Sequence, residues 1–249
     1  MKKEEYKIMF NIEDNYWWYV GLRRLVLSSM DGKDKSINLR ILDAGCGTGG
    51  MSTVLRAYNP YAIDYSEEAI SYSKSRNIYN IVRGSVCCMP FNNGFFDVVI
   101  SLDVLYHINV ESDHDTLKEF NRVMKKNGIL LLHLPAFNFL KSRHDEAVHT
   151  RHRYTANEVK RKVEAAGFKI EKITYRNVFL FPIAVIRRII EKFSLGSKNQ
   201  MESESELKPL SSSINRLFSN ILFFENKLIA SGMSFPFGLS IYCIARKKQ

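Results

Sequence analysis

Paired cysteines, long apolar runs and internal repeats are all missing from this chain of 249 residues. Its four cysteines are Cys46, Cys87, Cys88 and Cys243. Two are adjacent and none has the paired spacing of a zinc site, so reduced thiols in a cytoplasmic protein are expected, and no metal. No stretch reaches the ~18 uninterrupted apolar residues of a membrane span. The longest candidate, residues 178–190, is broken by Arg187 and Arg188. The opening Met1-Lys2-Lys3-Glu4-Glu5 lacks the apolar run of a signal peptide. There is no Asn-Pro-Pro-Tyr-type base-flipping motif and no appended RNA-binding module, which makes a nucleic acid the less favoured partner. Positive charge, in contrast, is in excess. A net +10 suits an acidic substrate, a nucleic acid or an anionic membrane surface without choosing between them. Apolar residues at 45% suffice for a real core.

Residues 4–30 read as helical, with aromatics at Tyr16, Trp17, Trp18 and Tyr19, and Asp31 to Asn38 as a polar loop. A strand–helix alternation then begins. Strands are expected at residues 39–43, 61–64, 78–83, 95–101, 129–134, 168–175 and 239–245. Helices are expected after Gly49, after the N-cap Ser66, over 112–125 and after the N-cap Thr155. Asn127-Gly128 is expected to end the third of these, with Gly128 in the left-handed C-terminal position. The pattern predicts an α/β, Rossmann-like doubly wound sheet of about seven strands, mostly parallel with the last antiparallel. The whole chain reads as a single domain, with its core at about 36–177 and 238–247. A helical cap takes residues 1–35 and 178–235, the latter part inserted before the last strand. Residues 194–206 are polar and read as a linker.

The informative stretch is Ile41-Leu42-Asp43-Ala44-Gly45-Cys46-Gly47-Thr48-Gly49-Gly50. Glycines let the backbone turn tightly and approach a ligand, between a strand and a helix where doubly wound sheets bind nucleotides. Asp64, at the end of the next strand, can accept hydrogen bonds from ribose hydroxyls. A dinucleotide and S-adenosylmethionine both fit that outline. The glycines run G-x-G-x-G, however, rather than the G-x-G-x-x-G that receives a pyrophosphate. Asp43 would also repel a diphosphate, whereas it suits the ammonium of a methionine moiety.

These residues resemble motif I of the class I S-adenosylmethionine-dependent methyltransferase superfamily. Arg83 to Phe91, Phe96 to Ile108 and Lys126 to Leu130 resemble its later motifs. The resemblance implies S-adenosylmethionine as cofactor, with S-adenosylhomocysteine as product. It implies a cofactor site of Asp43, Gly45, Cys46, Gly47, Asp64, Tyr65, Ser85, Val86 and Leu102. Ser85 stands where an aspartate usually meets the adenine amine. Trp17 and Trp18 either line a lid at the cofactor, with Arg23 or Arg24 near its carboxylate, or belong to a packed amphipathic helix. Tyr16-Trp17-Trp18 with Arg23-Arg24, His152-Arg153-Tyr154-Thr155 and residues 239–246 resemble a bacterial and archaeal subgroup distantly similar to quinone-biosynthesis O-methyltransferases.

The acceptor side is thinner. His107, beyond the fourth strand, is the candidate general base, or else a residue that only shapes the pocket. Asp103 lies four residues earlier and would orient His107 if a helical turn begins there; otherwise it faces the cofactor's amine. Tyr106 and His107 beyond the fourth strand, with His149, His152 and Arg153, are candidate substrate residues; the last three lie on a basic loop from Pro135 to Tyr154 whose cations would meet an anionic group or simply lie on the surface. The helical spacing of Phe179, Ile183, Ile186, Ile190 and Phe193, with Arg187 and Arg188, is expected from a packed cap or from peripheral contact with the inner membrane face. The activity expected is in-line methyl transfer to a small-molecule or lipid-like acceptor, with oxygen preferred. An amino sugar or other amine, or a nucleic acid, is the alternative. Oligomeric state is not legible.

Overall fold

The computed structural model describes residues 1–30, 39–194 and 210–249. The expected loop at 31–38 and residues 195–206 of the expected linker lie outside the described residues. Seven strands form one sheet: β1 (Ile41–Ala44), β2 (Tyr61–Asp64), β3 (Ile81–Arg83), β4 (Phe96–Leu102), β5 (Met124–Pro135), β6 (Phe168–Arg176) and β7 (Ser240–Lys247). Their order is β3-β2-β1-β4-β5-β7-β6. Neighbours from β3 to β5 are parallel, and β7 is antiparallel to both β5 and β6. The Rossmann-like sheet expected from the alternation is therefore present, with its antiparallel last strand.

Strand alternation explains the two-sided core. Ile41, Val98, Ile100, Ile129 and Leu131 pack on one face, with Leu22, Leu25 and Val26 from the helical N-terminal segment and Ile229 from late in the chain. Leu42, Val99, Leu130 and Leu132 pack on the other, with Leu117, Phe120, Val159 and Val163. Successive side chains on a strand point to opposite faces, so near-continuous apolar runs mark strands covered on both sides.

The helices are α1 (Lys3–Ile12), α2 (Trp17–Ser28), α3 (Gly50–Val54), α4 (Glu67–Ser75), α5 (Asp113–Val123), α6 (Arg143–Ala147), α7 (Ala156–Ala165), α8 (Phe181–Ser194) and α9 (Ser212–Ala230). Ser66, Ser112 and Thr155 cap α4, α5 and α7 as their residue types predict, each hydroxyl accepting from a first-turn amide. The expected end of α5 is corrected. The helix stops at Val123, and Asn127, not Gly128, takes the left-handed conformation at φ 61°. Gly128 instead sits where a Cβ would lie 2.9 Å from the Lys125 carbonyl, so close backbone approach is what selects it.

Of the inserted helices, α9 docks on the N-terminal α2. α9 lies along α2, where a Cβ on Gly21 would stand 2.6 Å from Leu222. Asn226 donates to the Gly21 carbonyl at 2.7 Å, and Asn215 Oδ1 accepts from the Trp17 amide at 2.9 Å. Arg24 stacks on Phe223 at 3.7 Å. On α8, Ile183, Ile186 and Ile190 are exposed, while Ala184, Arg187 and Arg188 line the cavity described below. Among the described residues no helix is long and apolar enough to cross a membrane.

Candidate active site

The strand order reverses between β1 and β4, and a cavity of about 1020 Å³ opens there, at the C-terminal ends of the strands. This is where doubly wound sheets hold ligands. Its donor end is the glycine turn. Gly45 and Gly47 have φ of +83° and +54°, and added Cβ atoms would lie 2.3 Å from Val104 and 2.9 Å from Met9. The turn is therefore both left-handed and crowded, and glycine meets both demands. The Gly47 amide donates to Asp64 Oδ2 and the Ser66 amide to Asp64 Oδ1, both at 2.9 Å. Each oxygen keeps a lone pair for a further donor.

Asp43 is almost fully buried and accepts from the Ser52 hydroxyl at 2.6 Å. Burial, with Asp64 and Glu13 nearby, pushes its carboxyl up to about 7. Burial also raises Asp64 and Glu13. A buried group of acids raised in this way favours a cation, and S-adenosylmethionine carries two, an ammonium and a sulfonium. The residues fit that cofactor.

Cys46 lines the same turn as a thiol held well above its usual range by burial, which makes it a packing residue and a poor nucleophile. Ser85 accepts the Cys87 amide at 3.1 Å, and its hydroxyl can still donate into the cavity. Val86, Leu102 and the exposed Tyr65 complete the expected cofactor set on the cavity wall.

Trp18 and Arg23 also line the cavity, but Arg23 is already engaged. Its Nη2 donates to the Glu13 carbonyl and its Nη1 lies 3.7 Å from the Glu13 carboxylate. Glu13 in turn accepts from Thr48 of the glycine turn and pairs with Arg76 at 3.0 Å. Arg76 also bonds Asp14 at 2.8 Å. The expectation that Arg23 meets the cofactor's carboxylate is thus corrected. It is one member of a buried cluster that fastens the N-terminal segment over the turn. Glu13, the hub of that cluster, was not visible in the sequence, since nothing local distinguishes it from other helix-end acids.

The acceptor end differs most from expectation. Asp103 begins no helical turn; its φ is +58°. Its amide donates to the His133 carbonyl at 2.9 Å and its Oδ2 meets His133 Nδ1 at 2.8 Å. Asp103 therefore orients His133, not His107. His133 is fully buried, lines the cavity and meets Trp18 edge-on at 5.6 Å. Its Nε2 has no hydrogen-bond partner.

His107 is placed differently. Its Nδ1 accepts the Asn109 amide at 3.1 Å, and its Nε2 faces the Met1 amine at 2.9 Å, so both ring nitrogens are already engaged. Burial, the amine and His149 bring it down to about 4. A ring brought down this far, with both nitrogens engaged, is a poor proton acceptor.

The loop after β4 is zipped to the basic loop. The Ile108 amide donates to the His149 carbonyl at 3.0 Å and the Arg151 amide to the Tyr106 carbonyl at 2.8 Å. Burial beside Asp103 and Asp145 holds the Tyr106 phenol far above its usual range, so it stays protonated. His149 and Arg153 reach the cavity. His152 does not; its ring turns to Glu158 on α7 at 3.0 Å, which corrects its place among substrate residues. The loop's cations are paired within the protein. Arg153 holds Asp145 through two bonds of 2.8 and 2.9 Å, and Arg151 and Lys162 both hold Asp113 at 2.6 Å.

Residues 42–132 match the methyltransferase domain family. Over 92 residues the chain is 35% identical to an uncharacterized protein of Methanocaldococcus jannaschii, covering 36% of this chain and 35% of that one. Over 95 residues it is 35% identical to the malonyl-[acyl-carrier protein] O-methyltransferase of Herminiimonas arsenicoxydans, with the same coverage of 36% and 35%. The chain spans less than half the length of the curated relatives it matches. A crystal structure of an S-adenosylmethionine-dependent methyltransferase from Mesorhizobium loti superposes with a TM-score of 0.60 at 13% identity, covering 94% of this chain and all of that one. At that identity the likeness speaks for the fold alone.

Fold, glycine turn and domain match define a Rossmann-like cofactor-binding protein. More particularly, residues 42–132 match the methyltransferase domain family, and that match, together with the Rossmann-like fold, supports S-adenosylmethionine as the cofactor.

Proposed function

We propose that the protein transfers the methyl group of S-adenosylmethionine to a small-molecule acceptor held at the β4–β7 end of the cavity. The observation that carries this reading is Asp43, a buried carboxyl pushed up to about 7 inside a glycine cradle that a cation would relieve. In this reading Asp43 takes the ammonium and Asp64 the ribose hydroxyls. Ser85 and Val86 border the adenine, Leu102 and Tyr65 flank the nucleoside, and Gly45, Cys46 and Gly47 form the floor. Trp18 closes the site from α2. The sulfonium supplies an electrophilic methyl group; the protein binds, aligns and excludes water, and alignment alone carries much of such a rate. Tyr106, His149 and Arg153 border the acceptor.

Oxygen is the favoured acceptor atom, as argued below, with an amine as the alternative. A nucleic acid is less well supported, because the basic loop's cations are held by Asp113 and Asp145. The likeness to quinone-biosynthesis O-methyltransferases rests on sequence motifs alone. A lipid-like acceptor is the finer reading of α8, which exposes Ile183, Ile186 and Ile190 while its Ala184 borders the cavity. Flotation with anionic liposomes tests that point, and protein that stays in the soluble fraction at low salt rejects it. The main reading is tested by calorimetric titration with S-adenosylmethionine and S-adenosylhomocysteine. A labelled-donor screen against metabolite and lipid extracts follows. Absence of cofactor binding sinks it.

A further inference from the structure

In the buried run of β5 from Ile129 to Leu134, the polar exception is His133. Period-two alternation puts it on the same face as Ile129 and Leu131, beneath α2. A buried polar group without a partner costs free energy, so an imidazole at this place requires a reason. Only half of it is satisfied. Asp103 grips the residue at two points, its amide on the His133 carbonyl and its carboxylate on Nδ1. The left-handed backbone of Asp103, tolerated by aspartate, turns the carboxylate back toward β5. Accepting from Nδ1–H fixes the tautomer, which leaves the Nε2 lone pair bare. That atom is buried and unpartnered on a residue of the cavity wall. Trp18 on α2 meets the ring edge-on and Tyr242 on β7 lies directly across the ladder. The Tyr242 hydroxyl is turned away to Ser29 at 2.9 Å, so it does not occupy Nε2. The guanidinium of Arg176 lies within electrostatic range of Asp103.

We propose that His133, oriented by Asp103, is the catalytic base that takes the proton of a hydroxyl acceptor in this cavity. The inference rests on the methyl-transfer reading above and deepens it by naming the acceptor class. The acceptor oxygen forms its bond to the methyl carbon as the carbon–sulfur bond breaks, with that bond's electron pair left on the neutral thioether. The hydroxyl proton passes to His133 Nε2, and the Asp103 carboxylate stabilises the imidazolium that results. A hydroxyl needs such a base because its neutral oxygen is a poor nucleophile; an amine entering unprotonated does not need one until after transfer. Trp18 keeps the ring from swinging, and Asp103 acts through His133 as a positioning residue.

The test has two arms. The first needs no acceptor: ¹⁵N NMR of histidine-labelled protein with S-adenosylhomocysteine added, and His133→Gln to identify the signals. The expected pattern is a protonated Nδ1 and a bare Nε2 for His133, altered in Asp103→Asn. A ring protonated on Nε2, or one unaffected by Asp103→Asn, overturns the proposal whatever the acceptor is. The second arm uses labelled S-adenosylmethionine with a panel of phenols, enols and aliphatic alcohols beside matched amines. His133→Gln is expected to bind S-adenosylhomocysteine as the parent does, with an unchanged melting temperature. Its turnover of the hydroxyl probes should fall about 10²- to 10⁴-fold, the range general-base catalysis supplies. Methylation of amines only, or full turnover by His133→Gln, overturns the proposal and leaves the methyl-transfer reading standing. Failure of the parent protein to bind S-adenosylhomocysteine overturns that reading instead.

Discussion

The two ends of the cavity are built on opposite plans. At the donor end almost every polar group has a partner. Asp64 is held by two amides, Asp43 by Ser52, and Glu13 by Thr48, Arg23 and Arg76. At the acceptor end and the strands behind it, orphaned polar atoms collect. His133 Nε2, Asn177 Oδ1 and all three guanidinium nitrogens of Arg176 are buried without partners. The donor end is preorganised for one invariant ligand. The acceptor end holds polarity in reserve for a ligand that must complete it. Substitutions at the donor end should therefore act mainly on folding and cofactor affinity. Substitutions at the acceptor end should act on turnover.

The largest effect is expected at Gly45. Its Cβ would lie 2.3 Å from Val104, at a φ of +83°. Gly45→Ala should cost about 2–4 kcal/mol in stability from left-handed strain and overpacking together, with loss of measurable cofactor binding. Denaturant unfolding and calorimetry check it; parental stability would show that the turn is more pliant than its geometry.

Next comes Glu13→Gln, which removes the charge at the hub of the N-terminal cluster. Breaking a buried ion pair leaves a buried cation uncompensated. Here the loss should be about 2–3 kcal/mol, below the usual range for such a break. Arg23 keeps the Glu13 carbonyl and Arg76 keeps Asp14. Cofactor release, followed by stopped flow, should quicken as the segment over the turn loosens. An unchanged off-rate would detach the cluster from any lid role.

Asp43 gives a prediction with a sign. Its carboxyl stands at about 7 in the folded protein against 3.8 for the ordinary group. The folded state therefore holds a proton that the unfolded state gives up, and stability falls as pH rises from about 4 to about 7. Asp43→Asn should flatten that slope. A cationic ligand reverses the preference, so S-adenosylmethionine should bind more tightly as pH rises toward about 7 and release protons on binding below it. Asp43→Asn should weaken binding about 10- to 100-fold, the worth of one charge-assisted hydrogen bond, and abolish the pH dependence. Titrations in buffers of different ionisation enthalpy measure the proton release; its absence rejects Asp43 as the ammonium partner.

The same contrast explains what could be read in the sequence. The donor end is contiguous: Asp43 to Gly49 is one turn and Asp64 ends the next strand, so strand period, glycine spacing and one acid suffice. The sheet was legible for the same reason, since its apolar runs and N-caps are local signals. The acceptor end is made by residues far apart in the chain. Asp103 and His107 stand at helical spacing, which pairs them on paper; a positive φ at Asp103 sends the carboxylate to His133, thirty residues on. His133 did leave a signal, as the lone polar residue in the run from Ile129 to Leu134. His152 and Arg153 are adjacent yet turn to different partners, Glu158 and Asp145. Charge at that loop was visible, but its pairing was not, because Asp113 and Lys162 come from α5 and α7.

The smallest effect, and the sharpest test of the contrast, belongs to Arg176. Its guanidinium is fully buried, and burial brings it down to about 10 despite the Glu225 charge nearby. Glu225 directs its two carboxylate oxygens at the Asn177 and Val178 amides, at 2.6 and 2.8 Å, rather than at Arg176. A desolvated cation without hydrogen bonds contributes little to folding, and apolar replacement of buried charge is often neutral or stabilising. Arg176→Met should therefore leave stability unchanged or raise it by up to about 2 kcal/mol. Glu225 loses a favourable charge but keeps its amides, which limits the opposing cost. Cofactor affinity should stay at the parental value, since the charges that act on this side chain are those of Glu225 and Asp103 and not those of Asp43 or Asp64. A loss of more than about 2 kcal/mol in denaturant unfolding would mean that the guanidinium is hydrogen-bonded in solution, as breaking a satisfied buried network would require. The acceptor end would then be as tightly tied as the donor end.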